Sequence, residues 1–158
     1  MGFRKAFSIL ELIFVIAIIA ILVSISIPYF SNSKQEAKIT KLKADFTTLQ
    51  SALVFYKNQN FLRSNSQNLS VLDEAKIGLE KEPLFFCTQS QISVCNDGAN
   101  CCQGSLLSNA IYSNKQAWMK TGFNAYRYYI TPKFFFDFIY DFESGELKCI
   151  GQRCKELL

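Results

Sequence analysis

Two kinds of side chain in this sequence have types and positions suited to chemistry: one carboxylate beside an apolar run, and six cysteines. Glu11 comes directly before residues 12–23, all of which are apolar. A carboxylate at the edge of a segment that enters lipid costs on the order of 1–3 kcal/mol, and such a group usually has a partner and a function. The cysteines all lie in the second half of the chain and are Cys87, Cys95, Cys101, Cys102, Cys149 and Cys154.

The cysteines favour disulfide bonds over metal binding. An even number, all downstream of the apolar run, indicates an oxidising compartment such as the periplasm or the cell exterior, and a reduced cytosolic domain is the less favoured interpretation. A zinc site needs paired spacings such as C-x-x-C, which the sequence lacks, and the chain has no histidine. Adjacent Cys101 and Cys102 pair more readily with other cysteines than with each other, and Cys87 and Cys95 are available to them.

Other site chemistries have little support. Without histidine the chain lacks the commonest general base and metal ligand. It has no nucleophile–base pair, P-loop or G-x-G-x-x-G motif, so we expect no catalytic residues, no enzymatic activity and no cofactor. Asn96, Asp97 and Asn100 form a short polar segment with few hard oxygen ligands, which favours a solvated turn over a calcium site, and we expect no metal.

Charge and aromatic content do not by themselves indicate a nucleic-acid role. The net charge of +4 comes from scattered basic residues rather than from a basic stripe. Trp118 and the many tyrosines and phenylalanines are more often core residues than a ligand platform. An exposed aromatic patch that binds protein or single-stranded DNA stays open as an alternative.

The apolar run predicts a membrane-spanning helix. No charged residue occurs from position 12 to position 33, and a helix satisfies its own backbone hydrogen bonds in lipid. Arg4 and Lys5 favour a cytoplasmic N-terminus, although lysines also follow the run. A cleaved secretory signal is disfavoured because the sequence SISIPYFSNS lacks an A-x-A site. An uncleaved signal anchor explains the basic pair and the apolar run, but it does not explain Glu11.

The run KAFSILELIFVIAIIAIL resembles the N-terminus of type IV pilins and type II secretion pseudopilins. In that family a short basic leader ends in a small residue, usually glycine, and the mature chain begins with phenylalanine or methionine and has glutamate fifth. The resemblance places the cut between Ala6 and Phe7, so that Glu11 is the fifth mature residue. Pro28 falls where many members have a helix-kinking proline. Ala6 departs from the usual glycine, although alanine is also small.

The resemblance also gives the carboxylate a role. A cut before Phe7 creates an α-amino group that is largely cationic at neutral pH. Glu11 can pair with the amine of a neighbouring subunit. In a low-dielectric environment such an ion pair is strong, and a charge left there without its partner is strongly destabilising. The pair would set the stagger between subunits. The family also implies N-methylation of Phe7, which keeps the charge.

Downstream of the apolar run, the spacing of apolar residues predicts that one helix continues to about residue 60. An apolar stripe at intervals of three and four residues indicates packing on a soluble headpiece, with an independent coiled coil as the less favoured alternative. The stripe consists of Ile39, Leu42, Phe46, Leu49, Leu53 and Tyr56.

The headpiece is predicted to contain an antiparallel sheet of three or four strands. Period-two patterns predict strands at residues 126–130 and 134–142, and Ser144-Gly145 predicts a turn before a strand at 146–150. Residues 69–82 are predicted to hold a short helix, and residues 84–86 a short strand. Pilin-like headpieces lay such a sheet across the helix, and in many of them a pair like Cys149 and Cys154 closes a small C-terminal loop.

The sequence thus predicts an α+β, pilin-like fold: leader 1–6, long helix 7–60 with a transmembrane part at about 9–30, and headpiece 61–158 in the periplasm or outside the cell. The function implied is a minor pilin or pseudopilin, processed by a prepilin peptidase and assembled with other pilins or pseudopilins into a type IV pilus, a type II secretion pseudopilus or a DNA-uptake filament. An inner-membrane platform protein and an assembly ATPase would act indirectly. The alternative is a single-pass membrane-anchored binding protein with an uncleaved anchor.

Overall fold

A computed structural model describes residues 8–63, 67–95 and 100–157, apart from the side chains of residues 25–32. The chain forms two compact units, Met1–Ala37 and Lys38–Leu158. Its described residues have the predicted α+β class, with a long helix and antiparallel sheets. The elements are α1 (Ile9–Leu62), β1 (Pro83–Leu84), α2 (Gln89–Val94), β2 (Ile111–Tyr112), β3 (Trp118–Gly122), β4 (Ala125–Thr131), β5 (Phe134–Asp141), β6 (Glu146–Ile150) and a 3-10 helix, Gln152–Glu156.

The described part of the first unit is the beginning of α1. The carbonyl oxygen of Ser8 accepts hydrogen bonds from the backbone N–H groups of Glu11 and Leu12, at 3.0 and 3.1 Å, which closes the first turn. Every large apolar side chain from position 9 to position 23 is exposed, from 42% at Val15 to 78% at Ile9. Among the described residues, no helix has both the length and the apolar character that a membrane span requires.

The main sheet of the second unit has four antiparallel strands in the order β3-β4-β5-β6. In β4 the buried side chains of Tyr126, Tyr128 and Ile130 alternate with half-buried ones, because successive residues of a strand point to opposite faces. β5 shows the same alternation around Phe136 and Phe138. β4, β5 and β6 confirm the three predicted strands to within one residue at each end.

Strand β3 was missing from the sequence prediction because its side chains do not alternate in polarity. Trp118, Met119 and Lys120 are all buried, although they point alternately to the two faces. The reason is that both faces are covered here. The backbone N–H of Gly78 donates to the carbonyl oxygen of Lys120 at 2.9 Å, which brings the segment around Gly78 against this edge strand.

The apolar stripe of α1 packs on the inner face of the sheet, as predicted. Leu42, Leu49 and Leu53 are buried in one cluster with the aromatic residues of β3, β4 and β5. The rings of Phe46 and Phe138 have centroids 5.3 Å apart. A polar contact adds direction to this packing, since the indole N–H of Trp118 donates to Oδ2 of Asp45 on the helix, at 3.0 Å.

Residues 69–82 do not form the predicted short helix. The segment contains turns and bends only, and Gly78 and Lys81 have φ values of +73° and +64°, which an α-helix does not allow. The helix-like spacing arose because Val71, Leu72 and Ala75 are all buried by tertiary contacts.

The predicted strand at residues 84–86 is shorter than expected and begins one residue earlier. It is β1, and within the described part of the chain it pairs with β2 alone, in a two-stranded antiparallel sheet. Phe85 has a φ of +56°, which takes the chain out of extended geometry directly after Leu84.

A buried carboxylate organises the irregular segment. Asp73 is 1% exposed, and its Oδ1 accepts from Nζ of Lys120 at 2.7 Å and from the backbone N–H of Ala75 at 3.1 Å. Its Oδ2 accepts from the hydroxyl of Tyr126 at 2.8 Å and from the backbone N–H of Phe85 at 2.9 Å. The ammonium of Lys120 also donates to the backbone oxygen of Asp73 at 3.0 Å. One side chain therefore ties the segment to β3, to β4 and to the residue after β1.

We expect Asp73→Ala to lower the free energy of unfolding by about 3–5 kcal/mol, because it removes the counter-charge of the buried Lys120 ammonium and leaves it only the backbone oxygen of residue 73. The control is Asp137→Ala, which breaks a pair whose side chains are about one-third exposed and should cost about 1 kcal/mol or less. Urea unfolding of the full chain, followed by the fluorescence of the single tryptophan, Trp118, measures both. Equal losses in the two variants would contradict the structural role of Asp73.

Buried tyrosines predict that stability falls at alkaline pH. Burial, and then the charge of Asp45, raise the pKa of Tyr128 from 10.0 to about 12. Burial, and then Asp73, raise the pKa of Tyr126 well above its usual value. The unfolded chain therefore ionises first: the stabilisation is complete below pH 10 and is lost as the pH rises toward 12. Tyr128→Phe should make this decline shallower, whereas Tyr112→Phe, at a position 65% exposed, should not. Unfolding curves between these pH values test this, and identical slopes in both variants would contradict it.

Candidate functional site

Glu11 lies in the first turn of α1, with its side chain exposed. The helix macrodipole stabilises a carboxylate at this end of a helix. Around it the apolar residues Leu10, Leu12 and Phe14 are exposed by 55–71%. No described residue forms an ion pair with Glu11. The structure therefore presents one acidic group on an otherwise apolar helix surface.

The structure describes only some of the other residues predicted for processing and assembly. Ala6 and Phe7, which flank the predicted cut, lie outside the described residues. Pro28 lies within the bounds of α1, and the kink predicted there stays a prediction.

All six cysteines form disulfides, which confirms the predicted oxidised state. The pairs are Cys87–Cys102, Cys95–Cys101 and Cys149–Cys154. The first bond is buried with Val71, and the last closes a loop between β6 and the 3-10 helix. The adjacent pair Cys101 and Cys102 thus bonds to two different partners on either side of α2.

The segment after α2 is attached to the Asp73 segment by polar contacts as well. The hydroxyl of Ser70 donates to the backbone oxygen of Cys101 at 3.0 Å, and Oε1 of Glu74 accepts from the backbone N–H of Cys102 at 3.1 Å. At the start of α2, Thr88 and Gln91 form a capping box. Disulfides and caps together stabilise a part of the chain that has little regular structure.

The residues that the structure describes contain no candidate metal site. No group of three or more histidine, cysteine, aspartate or glutamate side chains is arranged to hold an ion there. The thiols are all committed to disulfides. Of the polar segment considered from sequence, Asn96 and Asp97 lie outside the described residues, and Asn100 has a φ of +60°.

The sheet face turned away from α1 carries an aromatic and basic cluster, here called the outer patch: Arg127, Tyr129, Phe135, Asp137 and Arg153. Arg127 pairs with Asp137 through two contacts, Nε–Oδ1 at 2.6 Å and Nη2–Oδ2 at 3.1 Å. Its guanidinium carbon lies 3.8 Å from the ring centroid of Phe135. The guanidinium carbon of Arg153, at the end of the sheet, lies 5.1 Å from the ring centroid of Phe134 and 5.9 Å from that of Phe135. The hydrogen bond to Asp137, opposed by desolvation, raises the pKa of Arg127.

Two hollows flank the outer patch. One, of about 530 Å³, lies between the Gly78 segment and the sheet, and its lining includes Ile77, Met119, Tyr129 and Pro132. The other, of about 370 Å³, lies where β6 leads into the 3-10 helix. Both are in the size range of small binding sites.

Sequence reasoning missed the outer patch, although part of its signal was present. Arg127, Tyr129, Phe135 and Asp137 are the residues between the buried positions of β4 and β5, so the alternation alone places them on one face. The register that sets Arg127 opposite Asp137 and Tyr129 opposite Phe135 comes from the strand pairing. The position of Arg153 beside these rings depends on the path of the chain after β6, and no local sequence pattern predicts that path.

Comparison with curated proteins finds a similarity to the type II secretion system core protein G of Pectobacterium carotovorum subsp. carotovorum, 36% identical over 73 residues. The aligned part is 45% of this chain and 47% of that protein, so the chain spans about half the length of the curated relative it matches. No family model matches the chain. No solved structure matches it.

The fold and the comparison agree at the level of protein class. A long N-terminal helix followed by an antiparallel sheet is the arrangement of a pilin-like protein. The similarity to a type II secretion pseudopilin supports the pilin and pseudopilin family to which the N-terminal sequence pointed.

Proposed function

We propose that the chain is a filament subunit of the minor pilin or pseudopilin type, with a structural rather than a catalytic role. In this proposal a prepilin peptidase removes residues 1–6 and Phe7 becomes N-methylated. Residues at about 9–30 hold the chain in the inner membrane, with the N-terminus cytoplasmic and the headpiece, 61–158, periplasmic. The subunit then enters a filament in the periplasm or at the cell surface.

The observation that carries this proposal is the position of Glu11. It is an exposed carboxylate in the first turn of α1, surrounded by exposed apolar side chains. A continuous apolar surface of this kind marks contact with lipid or with other chains. Placing a carboxylate within this surface costs free energy unless a cation pairs with it. The amine of a processed neighbouring subunit is such a cation.

The proposed partners follow from the assembly route. They are the prepilin peptidase, lipid before assembly, other pilins or pseudopilins in the filament, and, indirectly, a membrane platform protein and an assembly ATPase. The similarity to a type II secretion core protein favours secretion over adhesion, motility or DNA uptake. Contact with nucleic acid belongs only to the DNA-uptake alternative.

A second candidate is a single-pass membrane-anchored binding protein with an uncleaved anchor. The outer patch and its two hollows favour it, because an exposed aromatic and basic surface suits ligand or protein binding. This candidate leaves Glu11 unexplained.

The proposal predicts a new N-terminus. In cells with an active prepilin peptidase, we expect N-terminal sequencing and mass spectrometry of the membrane-extracted protein to find a chain that begins at methylated Phe7. Ala6→Gly should raise the processed fraction, because glycine is the usual residue at this position in the family. Cells without the peptidase serve as the control. An intact Met1 in peptidase-active cells would contradict the filament proposal and favour the anchored binding protein.

The proposal also predicts that Glu11 is needed for assembly. Glu11→Ala should reduce incorporation into filaments at least about tenfold, because the amine of the neighbouring subunit would be left unpaired in low dielectric. Glu11→Asp keeps the charge and should reduce it less. Immunoblots of sheared filaments, normalised to the membrane pool, measure both. Undiminished incorporation of Glu11→Ala would remove the proposed role of the carboxylate.

A further inference from the structure

The turn between β5 and β6 presents an aromatic ring and a carboxylate to solvent. Phe142 is 55% exposed and Glu143 is exposed. Within the described part of the chain, the carboxylate of Glu143 makes no ion pair. Asp141 and Glu146 flank the turn, with Lys148 shared between them at 3.3 and 3.5 Å. Three carboxylates thus lie in or beside the turn around Phe142, and the ammonium groups of Lys148 and Lys57 offset two of their charges, which leaves one net negative charge.

This exposed turn is held in place by contacts from two other parts of the second unit, the segment at Asn68 and helix α1. The side-chain amide of Asn68 donates to the backbone oxygens of Phe142 and Glu143, at 3.1 and 2.9 Å. Nζ of Lys57, on α1, donates to the backbone oxygen of Ser144 at 2.7 Å. A Cβ added at Gly145 would lie 2.5 Å from Oδ1 of Asn68, so only glycine fits this approach. A surface loop fixed in this way loses little entropy on binding.

The opposite end of β5 carries a complementary surface. The hollow of about 370 Å³ there is lined by residues that include Phe135, Ile150, Gly151 and Arg153. Ile150 is 50% exposed, which makes the hollow partly apolar. Arg153 is exposed and makes no ion pair with any described residue. The Asp137 carboxylate in the hollow is already paired with Arg127. The free charge of the hollow is therefore positive.

The two surfaces match in chemistry but cannot meet within one chain. β5 has eight residues, which separates its ends by roughly 25 Å. The turn follows the last residue of the strand, and the hollow lies beside the first ones. A contact between the two surfaces must therefore join two copies, with the turn of one copy at the hollow of the next.

We propose that headpieces of this chain dock head to tail, with Phe142 of one copy in the hollow beside Phe135 and Ile150 of the next, and Glu143 paired with Arg153. Such a contact is heterologous, because each copy uses a different surface on each side. A heterologous contact that does not close into a ring generates an open helical array. The inference rests on the proposed filament role and names its partner as a second copy of this chain.

Photo-crosslinking combined with charge-reversal variants tests the docking. The full chain is expressed in cells that form the filament. Phe142 is replaced by a photo-crosslinking phenylalanine analogue, and the yield of crosslinked dimer is measured after illumination. We expect the crosslink to map by mass spectrometry to residues 150–153 of the second copy. Glu143→Arg and Arg153→Glu, each alone, should reduce the dimer at least about fivefold, because each sets like charges against one another. The double variant should return to within about twofold of the parent.

A matched control separates the specific pair from net charge. Lys115→Glu makes the same charge change as Arg153→Glu at another exposed position, and its combination with Glu143→Arg restores the net charge without restoring the pair. This combination should not recover the dimer. Recovery in it, a double variant of Glu143 and Arg153 that fails to recover, or a crosslink that maps elsewhere would each overturn the docking.

The failure of the docking can be told from the failure of the filament proposal. If the parent chain begins at Phe7 and enters filaments, but Phe142 does not crosslink to residues 150–153, only the docking inference fails. If the parent chain keeps Met1 and enters no filament, the proposed function fails, and the docking fails with it as a filament contact.

Discussion

The buried carboxylate of Asp73 is the interaction on which the second unit depends most. Taking a charge out of water costs several kcal/mol, so a carboxylate that is 1% exposed is tolerated only when donors surround it. Here the donors are the ammonium of Lys120, the phenol of Tyr126 and two backbone N–H groups. Because these groups belong to different strands and turns, satisfying one charge fixes the relative positions of all of them. These hydrogen bonds can therefore fix the conformation of an irregular segment, as backbone hydrogen bonds fix that of a helix.

The outer face of the sheet has a covered part and an open part. The backbone N–H of Gly78 bonds to the edge of β3, and the neighbouring Ile77 lines a hollow together with Met119, an outer-face side chain that is 4% exposed. The outward rows of β4 and β5 lie beyond that cover. There the charges of Arg127 and Asp137 neutralise one another, and the guanidinium rests on the ring of Phe135. The outer patch is therefore the part of this face that lies beyond the segment around Gly78.

Sequence reasoning succeeded where a pattern is local and failed where burial comes from distant contacts. The stripe of α1 and the alternation of β4 and β5 are set by helix and strand geometry, so they could be read directly. Residues 69–82 were misread because the burial of Leu72 and Ala75 arises from tertiary packing, and β3 was missed because both of its faces are covered. Of the candidate site, Glu11 was visible from its sequence context. Arg153 was not, since its place depends on how the chain continues after β6.

In the proposed filament, the two units would offer contacts of different physical kinds. Apolar burial along the start of α1 is strong but nearly non-directional, so many registers between neighbouring helices would bury similar areas. A charge such as that of Glu11 restricts the register, because every arrangement that leaves it unpaired in low dielectric is costly. The proposed docking of headpieces would add a second restriction of the same type, since Glu143 and Arg153 are exposed opposite charges near the two ends of β5. Two charge pairs at different places along the subunit can fix both its stagger and its rotation, which apolar packing of the helices alone cannot do.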